Sequence, residues 1–220
     1  KPLVPDGDED GYDDKGLKPL VEVMQSLCVT VEEACHQPGG FDVVVGNPPY
    51  GAHLEKPEEA YLRMKFDTAM RDVDTYSLFI EQAIRVCKAR GIVSYIVPTG
   101  WYSGVRYSAL RRFFICTTSP VVFINLPYDI FNAWVDTTIF VTSKRPTVLD
   151  WPPESKTQTH ILTFPKKYKI NDISDFDLVY QNATIENWFE NGQDEYLTYA
   201  DDITLSVMRK VEKFGQPLSK

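Results

Sequence analysis

At 220 residues, 43% of them hydrophobic and 25% charged, the chain has an ordinary globular composition, long enough for one good core and a small second one. No run approaches the ~18 apolar residues of a membrane span and no signal-peptide pattern is seen, so a cytoplasmic protein with no membrane partner is expected. The net charge of −8 argues against a tight, non-specific grip on a polyanion, but it is unevenly spread. Residues 1–40 carry 3 Lys/Arg against 9 Asp/Glu, and residues 146–220 carry 8 against 12. Residues 41–145 carry 12 against 10, with Arg106, Arg111 and Arg112 close together, so this middle block is where local cations could meet phosphates.

The first 19 residues include Pro5-Asp6-Gly7-Asp8-Glu9-Asp10-Gly11-Tyr12-Asp13-Asp14, which has no apolar periodicity. A calcium loop could use Asp6, Asp8, Asp10 and Gly11, but Leu17 stands where the bidentate Glu belongs, so a solvated acidic loop is expected. Leu20 to Met24 alternates like a short strand, and Val29 to Cys35 is compatible with a helix. Cys28, Cys35, Cys87 and Cys116 form no C-x-x-C pair. Reduced, mostly buried thiols are therefore expected rather than a zinc site from Cys28, Cys35 and His36, and no metal is assigned.

Pro38-Gly39-Gly40 breaks the chain before the apolar run Phe41-Asp42-Val43-Val44-Val45-Gly46, which reads as a strand. Beyond Asp74 the period changes: Tyr76, Phe79, Ile80, Ala83, Ile84 and Cys87 form one helical stripe, with Lys88 and Arg90 at its end and Gly91 as its stop. Ile92 to Val97 reads as a buried strand running into Pro98-Thr99-Gly100-Trp101. A helix is predicted from about Ser108 to Ile115, then strands at Val121–Ile124 and Asp136–Val141. This order predicts a parallel α/β half-sheet whose final strand is close enough to pair antiparallel. From Pro146 the texture shifts to Pro, Thr, Lys and Asn, and a closing helix is predicted over 197–214.

Asn47-Pro48-Pro49-Tyr50, directly after the first strong strand, is the most informative string. It stands at a strand's carboxyl end, where open α/β sheets bind ligands. The Asn47 carboxamide oxygen can accept a hydrogen bond from an amino group. Pro48 and Pro49 fix φ and remove two backbone donors, so the turn cannot relax and their carbonyls are expected to stay free. Tyr50 supplies a flat face for a planar base.

The stretch from Phe41 to about Ser143 resembles the N6-adenine DNA methyltransferases of restriction–modification systems. Three segments carry the likeness: Phe41 to Tyr50, Asp74 to Ala83 running into Ile96-Val97-Pro98-Thr99-Gly100-Trp101, and Ile130-Phe131-Asn132-Ala133-Trp134-Val135-Asp136-Thr137-Thr138. The order is similar to the γ arrangement of single-chain type II enzymes. The resemblance implies a partial Rossmann-like methyltransferase sheet and S-adenosyl-L-methionine as methyl donor. It implies double-stranded DNA with a flipped adenine as substrate. It also implies catalytic roles for Asn47, Pro48, Pro49 and Tyr50, base stacking by Tyr50 and Phe131, and cofactor contact by Phe79 and Pro49. Residue by residue, Phe131 could equally be a core aromatic after a strand, and Phe79 a helix core residue.

On that basis residues 1–40 are an acidic loop and lead-in, 41–145 the catalytic half, and 146–220 a C-terminal module leading to a target-recognition region. The family's Gly-containing turn after a first strand, and the acidic residue for the cofactor ribose, are not found in the sequence. A fragment of a longer enzyme is expected, partnered by the rest of its own polypeptide and, in some architectures, a nuclease. Alone it should bind cofactor weakly and be inactive. An RNA or protein-glutamine methyltransferase, or a non-catalytic DNA- or subunit-binding module on the same fold, are the other readings.

Overall fold

The computed structural model describes residues 39–51, 54–69, 73–127, 130, 135–153, 157–165, 179–184, 194–196, 198 and 202–215. Two compact units are formed by Lys1–Gly40 and Phe41–Lys220. The acidic loop, the Leu20–Met24 and Val29–Cys35 segments, and Cys28, Cys35 and His36 lie outside the described residues, as does Phe131.

The second unit is built on a six-stranded sheet. Its strands are β1 (Phe41–Gly46), β2 (Cys87–Pro98), β3 (Thr118–Asn125), β4 (Thr137–Lys144), β5 (Gln158–Thr163) and β6 (Val179–Thr184). Their spatial order is β1-β2-β4-β3-β5-β6. β1 runs parallel to β2, with Val45 opposite Ser94 and Gly46 opposite Tyr95. The expected antiparallel strand is β4, and it inserts between β2 and β3, pairing antiparallel with both. β3 and β5 are parallel, so β1, β2, β3 and β5 all end at one edge of the sheet. The sheet does not stop at the change of texture near Pro146, because β5 and β6 continue it.

Among the described residues four α-helices accompany the sheet: α1 (Lys56–Lys65), α2 (Thr75–Val86), α3 (Ser108–Thr117) and α4 (Asp202–Phe214). The α2 stripe forms because Tyr76, Ile80, Ala83 and Ile84 recur at helical spacing and bury against the sheet. Val93, Tyr95 and Val97 alternate inward from β2 and meet Phe123, Phe140 and Ile161 from its neighbours in the same core. Trp101, fully buried after β2, packs its ring against Phe114 at 5.1 Å and Tyr196 at 5.2 Å. Each such large side chain contributes roughly 1.5–3 kcal/mol by leaving water. On the other face of the sheet Val43 and Val45 are 57% and 72% exposed.

The end of α2 differs from the sequence reading. The helix closes at Val86 and the chain enters β2 at once, with Cys87 already extended. Arg90, not Gly91, takes the left-handed backbone, at φ 67°. Gly91 is needed for close approach: a Cβ there would lie 2.9 Å from both the Phe41 and Asp42 carbonyl oxygens. Capping is done from a distance instead, since Lys144 Nζ donates to the Arg85 carbonyl at 3.0 Å and the Cys87 carbonyl at 2.6 Å.

Helix α1 was not anticipated. It joins α2 through a small separate core of Leu62, Ala69, Val73 and Leu78. The turn between the two helices is tied down by Glu81, fully buried on α2, whose carboxylate accepts the Asp67 N–H at 3.0 Å and the Thr68 N–H at 2.8 Å and pairs with Arg85. No helix among the described residues is long and apolar enough to cross a membrane.

Candidate active site

The Asn47–Tyr50 corner leaves β1 at the shared carboxyl edge. Gly46 permits this exit, because the Tyr95 ring lies across it, 3.0 Å from where a Cβ would stand. Asn47 is exposed, Pro48 is buried, and Pro49 and Tyr50 are half-buried. The carboxamide is not turned into the core.

The Tyr50 hydroxyl donates to Asn47 Oδ1 at 2.7 Å and lies 3.2 Å from the Ile96 carbonyl. Burial raises the Tyr50 phenol, so it remains a donor through the neutral range. Its ring stands edge-on to Tyr76, with centroids 6.4 Å apart. Tyr76 in turn packs against Tyr107 at 5.8 Å. Pro49 is held by the Thr75 hydroxyl, which donates to its carbonyl at 2.8 Å. Among the described residues no donor is placed against the Pro48 carbonyl.

Asp74, just ahead of α2, accepts the Gly51 N–H on Oδ1 at 3.2 Å and the Tyr107 hydroxyl on Oδ2 at 3.0 Å. Arg106 lies 3.7 Å from the same carboxylate and stacks over the Tyr107 ring at 5.2 Å. Phe79 is half-buried against the main core, one helical turn beyond Thr75 and so on the same side of α2 as the residue that holds Pro49.

The corner therefore brings together Asn47, Pro48, Pro49 and Tyr50, with Phe79 along the adjoining helix. Sequence reasoning did not find the braces, Asp74 and Thr75. Both lie in the Asp74–Ala83 segment that carries the family resemblance, but an Asp-Thr pair at a helix start reads as ordinary capping.

Of the clustered arginines, Arg111 and Arg112 have partners within the fold. Arg111 is buried and donates to the carbonyls of Trp101, Ser103, Gly104 and Asp194, at 2.6–3.1 Å. Burial lowers its guanidinium from the usual arginine range, and four carbonyl acceptors offset that cost. Arg112 pairs with Asp194 at 2.8 Å and stacks over Trp151 at 4.9 Å. Arg111 thus fastens the backbone at Asp194 to the turn after β2, and Arg112 fastens the Asp194 side chain to α3. The two described cysteines, Cys87 and Cys116, are buried free thiols, each raised by burial.

Solved structures that share this architecture include two from restriction–modification systems. The type IIG restriction endonuclease BpuSI aligns over 78% of this chain and 22% of its own, with a TM-score of 0.53 and 17% identity. A structure described for assembly and conformational transition of a type I restriction–modification system covers 82% and 43%, with a TM-score of 0.53 and 16% identity. With its inserted antiparallel strand and its motif at the carboxyl edge, the sheet is a partial Rossmann-like α/β sheet, the fold it shares with these two structures.

The family profile described as Eco57I restriction-modification methylase matches residues 13–131, and the chain belongs to that family. The Methanocaldococcus jannaschii protein RM.MjaORFECS2P is 37% identical over 131 residues, which is 59% of this chain and 10% of that protein. The Escherichia coli type II restriction enzyme and methyltransferase RM.Eco57I is 38% identical over 78 residues, or 33% of this chain and 8% of that one. The Thermus thermophilus type II methyltransferase M.TthHB8I is 29% identical over 87 residues, or 35% and 20%. The chain thus spans a fifth or less of the length of these relatives.

Proposed function

We propose that this chain is the catalytic half of a site-specific DNA adenine-N6 methyltransferase within a cytoplasmic restriction–modification enzyme. Residues 41–145 would hold the chemistry, and residues 146–220 would lead toward target recognition. The observation that carries this reading is the outward-facing Asn47 carboxamide on a corner clamped from α2. The names of the relatives, which include type II methyltransferases, agree with it.

The described residues fit one side of S-adenosylmethionine. Phe79 and Pro49 flank the same turn of α2, where a half-buried ring can pack on the donor's adenine. When bound, the donor supplies an electrophilic methyl group on a sulfonium. The chain's own residues act on the acceptor. An exocyclic amine is a poor nucleophile because its lone pair is conjugated with the ring. Accepting its two N–H groups on Asn47 Oδ1 and the Pro48 carbonyl draws the nitrogen toward tetrahedral geometry and offsets the positive charge that develops during attack. Asn47 Oδ1 already takes the Tyr50 hydroxyl, and a carboxamide oxygen has a second lone pair for the amine. The adenine must leave the duplex to arrive there. Stacking on Tyr50, with Phe131 as the proposed second face, contributes roughly 1–3 kcal/mol per ring against that cost.

The test is transfer of label from S-adenosylmethionine to an adenine-containing duplex by the complete protein. Asn47→Ala should abolish transfer while cofactor binding persists. Transfer to RNA or to a glutamine-bearing protein instead of the duplex would overturn the substrate assignment. Unchanged transfer by Asn47→Ala would overturn the catalytic one and leave a binding role.

A further inference from the structure

Asp74 occupies the N-cap position of α2, where an aspartate ordinarily turns its carboxylate onto the exposed N–H groups of the first helical turn. Here it makes no such bond. Ser77 is served by the Asp74 main-chain carbonyl instead, through its N–H at 3.0 Å and its hydroxyl at 2.6 Å. The side chain points the other way, onto the Gly51 N–H and the Tyr107 hydroxyl. A residue type suited to stabilising its own helix is thus committed to a loop 23 positions earlier in the chain.

The next residue does the same. Thr75 is 5% exposed, and its hydroxyl reaches the Pro49 carbonyl. Consecutive residues at the start of α2 therefore grip the peptide groups immediately before and after Tyr50. Gly51 has φ 61°, a left-handed conformation that favours glycine, and the bond from its N–H to Asp74 holds the peptide there. With both flanking peptides held, the Tyr50 ring has its direction set, and Tyr76 blocks it edge-on. The Tyr50 hydroxyl then orients the Asn47 carboxamide.

We infer that Asp74 and Thr75 are positioning residues for methyl transfer, acting through the Pro49 and Gly51 peptides to hold Tyr50 and Asn47 in register with the acceptor amine. The inference deepens the methyl-transfer reading and rests on it. Neither side chain touches the acceptor; their effect is geometric, and misplacement by about 1 Å at a reacting centre can cost about a hundredfold in rate.

The experiment measures kcat and the KM for S-adenosylmethionine and for duplex DNA in the complete protein, with Asn47→Ala as control. Asp74→Ala should lower kcat on the order of 10- to 100-fold, with KM for the donor changed less than about threefold. Asp74→Asn should recover most of the loss, because a carboxamide oxygen still accepts the Gly51 N–H and the adjoining NH2 can donate to the Tyr107 oxygen. Thr75→Val removes a donor without changing shape and should lower kcat in the same way, with Thr75→Ser restoring it. That pair keeps the test decisive should Asp74→Ala fold poorly. Full activity in Thr75→Val, or no recovery in either conservative variant, overturns the inference. Loss of activity in Asn47→Ala with none in Asp74→Ala or Thr75→Val overturns it while leaving the methyl-transfer reading intact. Unimpaired transfer by Asn47→Ala overturns that reading itself.

Discussion

The Tyr50 hydroxyl donates to the Asn47 carboxamide oxygen at 2.7 Å, so the two functional groups of the motif orient each other before any ligand arrives. A free carboxamide can rotate and present either its oxygen or its NH2, and only the oxygen can accept an amine proton. The phenol selects the oxygen. Tyr50→Phe removes this selection and keeps the ring. One hydrogen bond of ~0.5–1.5 kcal/mol corresponds to a loss of about 2- to 10-fold in single-turnover methyl transfer. Tyr50→Ala also removes the stacking face, a further ~1–3 kcal/mol, and should be slower again by about 5- to 150-fold. Equal losses in the two variants would mean that the ring does not stack on the base.

At Gly91 the limit is space. An added Cβ would meet the Cys87 sulfur at 2.5 Å and two carbonyl oxygens of β1 at 2.9 Å. The sulfur can swing aside, but the carbonyls are fixed by the β1–β2 register, where Phe41 faces Cys87 and Val43 faces Ile92. Gly91→Ala should destabilise the fold by about 1–3 kcal/mol, read as a lower urea midpoint at unchanged slope. Adding Cys87→Ala should recover little, since both carbonyls remain. Full recovery in the double variant would assign the strain to the sulfur alone.

What could be read in the chain follows the range of the forces involved. The α2 stripe and the Ile92–Val97 strand announce themselves because burial imposes a period on neighbouring residues. Helix α1 carried local signals, with Pro57 near its start, Glu58 and Glu59 in its first turn, and Arg63 and Lys65 in its last. Its apolar stripe is nearly absent, because Leu62 is its one described buried residue. The motif's position at a strand end was equally legible. Its support was not: Asp74 reaches 23 positions back to Gly51, and Tyr50 lies 46 positions from the Ile96 carbonyl, separations that only the folded sheet closes. The same limit hid the fate of Arg111, since nothing local distinguishes a surface arginine from one buried among four carbonyls.

Glu81 tests how the satellite core is tied to α2. Its two carboxylate oxygens accept two different N–H groups, those of Asp67 and Thr68. Glu81→Ala leaves both donors without their acceptor, at about 1–3 kcal/mol for each group that stays dry. Arg85 is 39% exposed, so its ion pair adds less than a buried one would. Glu81→Gln should not be neutral either, because one acceptor oxygen is replaced by an NH2 that faces an N–H. Both variants should lower the melting midpoint and accelerate amide exchange at Thr68 before the β2 and β4 amides respond. Slow exchange at Thr68 in Glu81→Ala would show that the turn holds without the carboxylate.

The alkaline limb of stability should report on Tyr95, whose ring lies across Gly46 and beneath the exit of the motif. Burial pushes its phenol up to about 12 from the ordinary value of 10.0. The folded state therefore favours the protonated ring more strongly than the unfolded chain does. That stabilising difference is complete below pH 10 and is lost as pH rises from 10 through 12, because ionisation then favours the unfolded chain. Two pH units correspond to on the order of 3 kcal/mol from this one group. Other buried phenols titrate in the same direction, so the contrast with Tyr95→Phe isolates the contribution. Phenylalanine keeps the ring against Phe140, 6.2 Å away, and removes the ionisable oxygen. Urea unfolding at pH 9 through 12 should give a shallower decline for Tyr95→Phe than for the parent chain, and parallel declines would mean that the Tyr95 hydroxyl reaches water in the folded state.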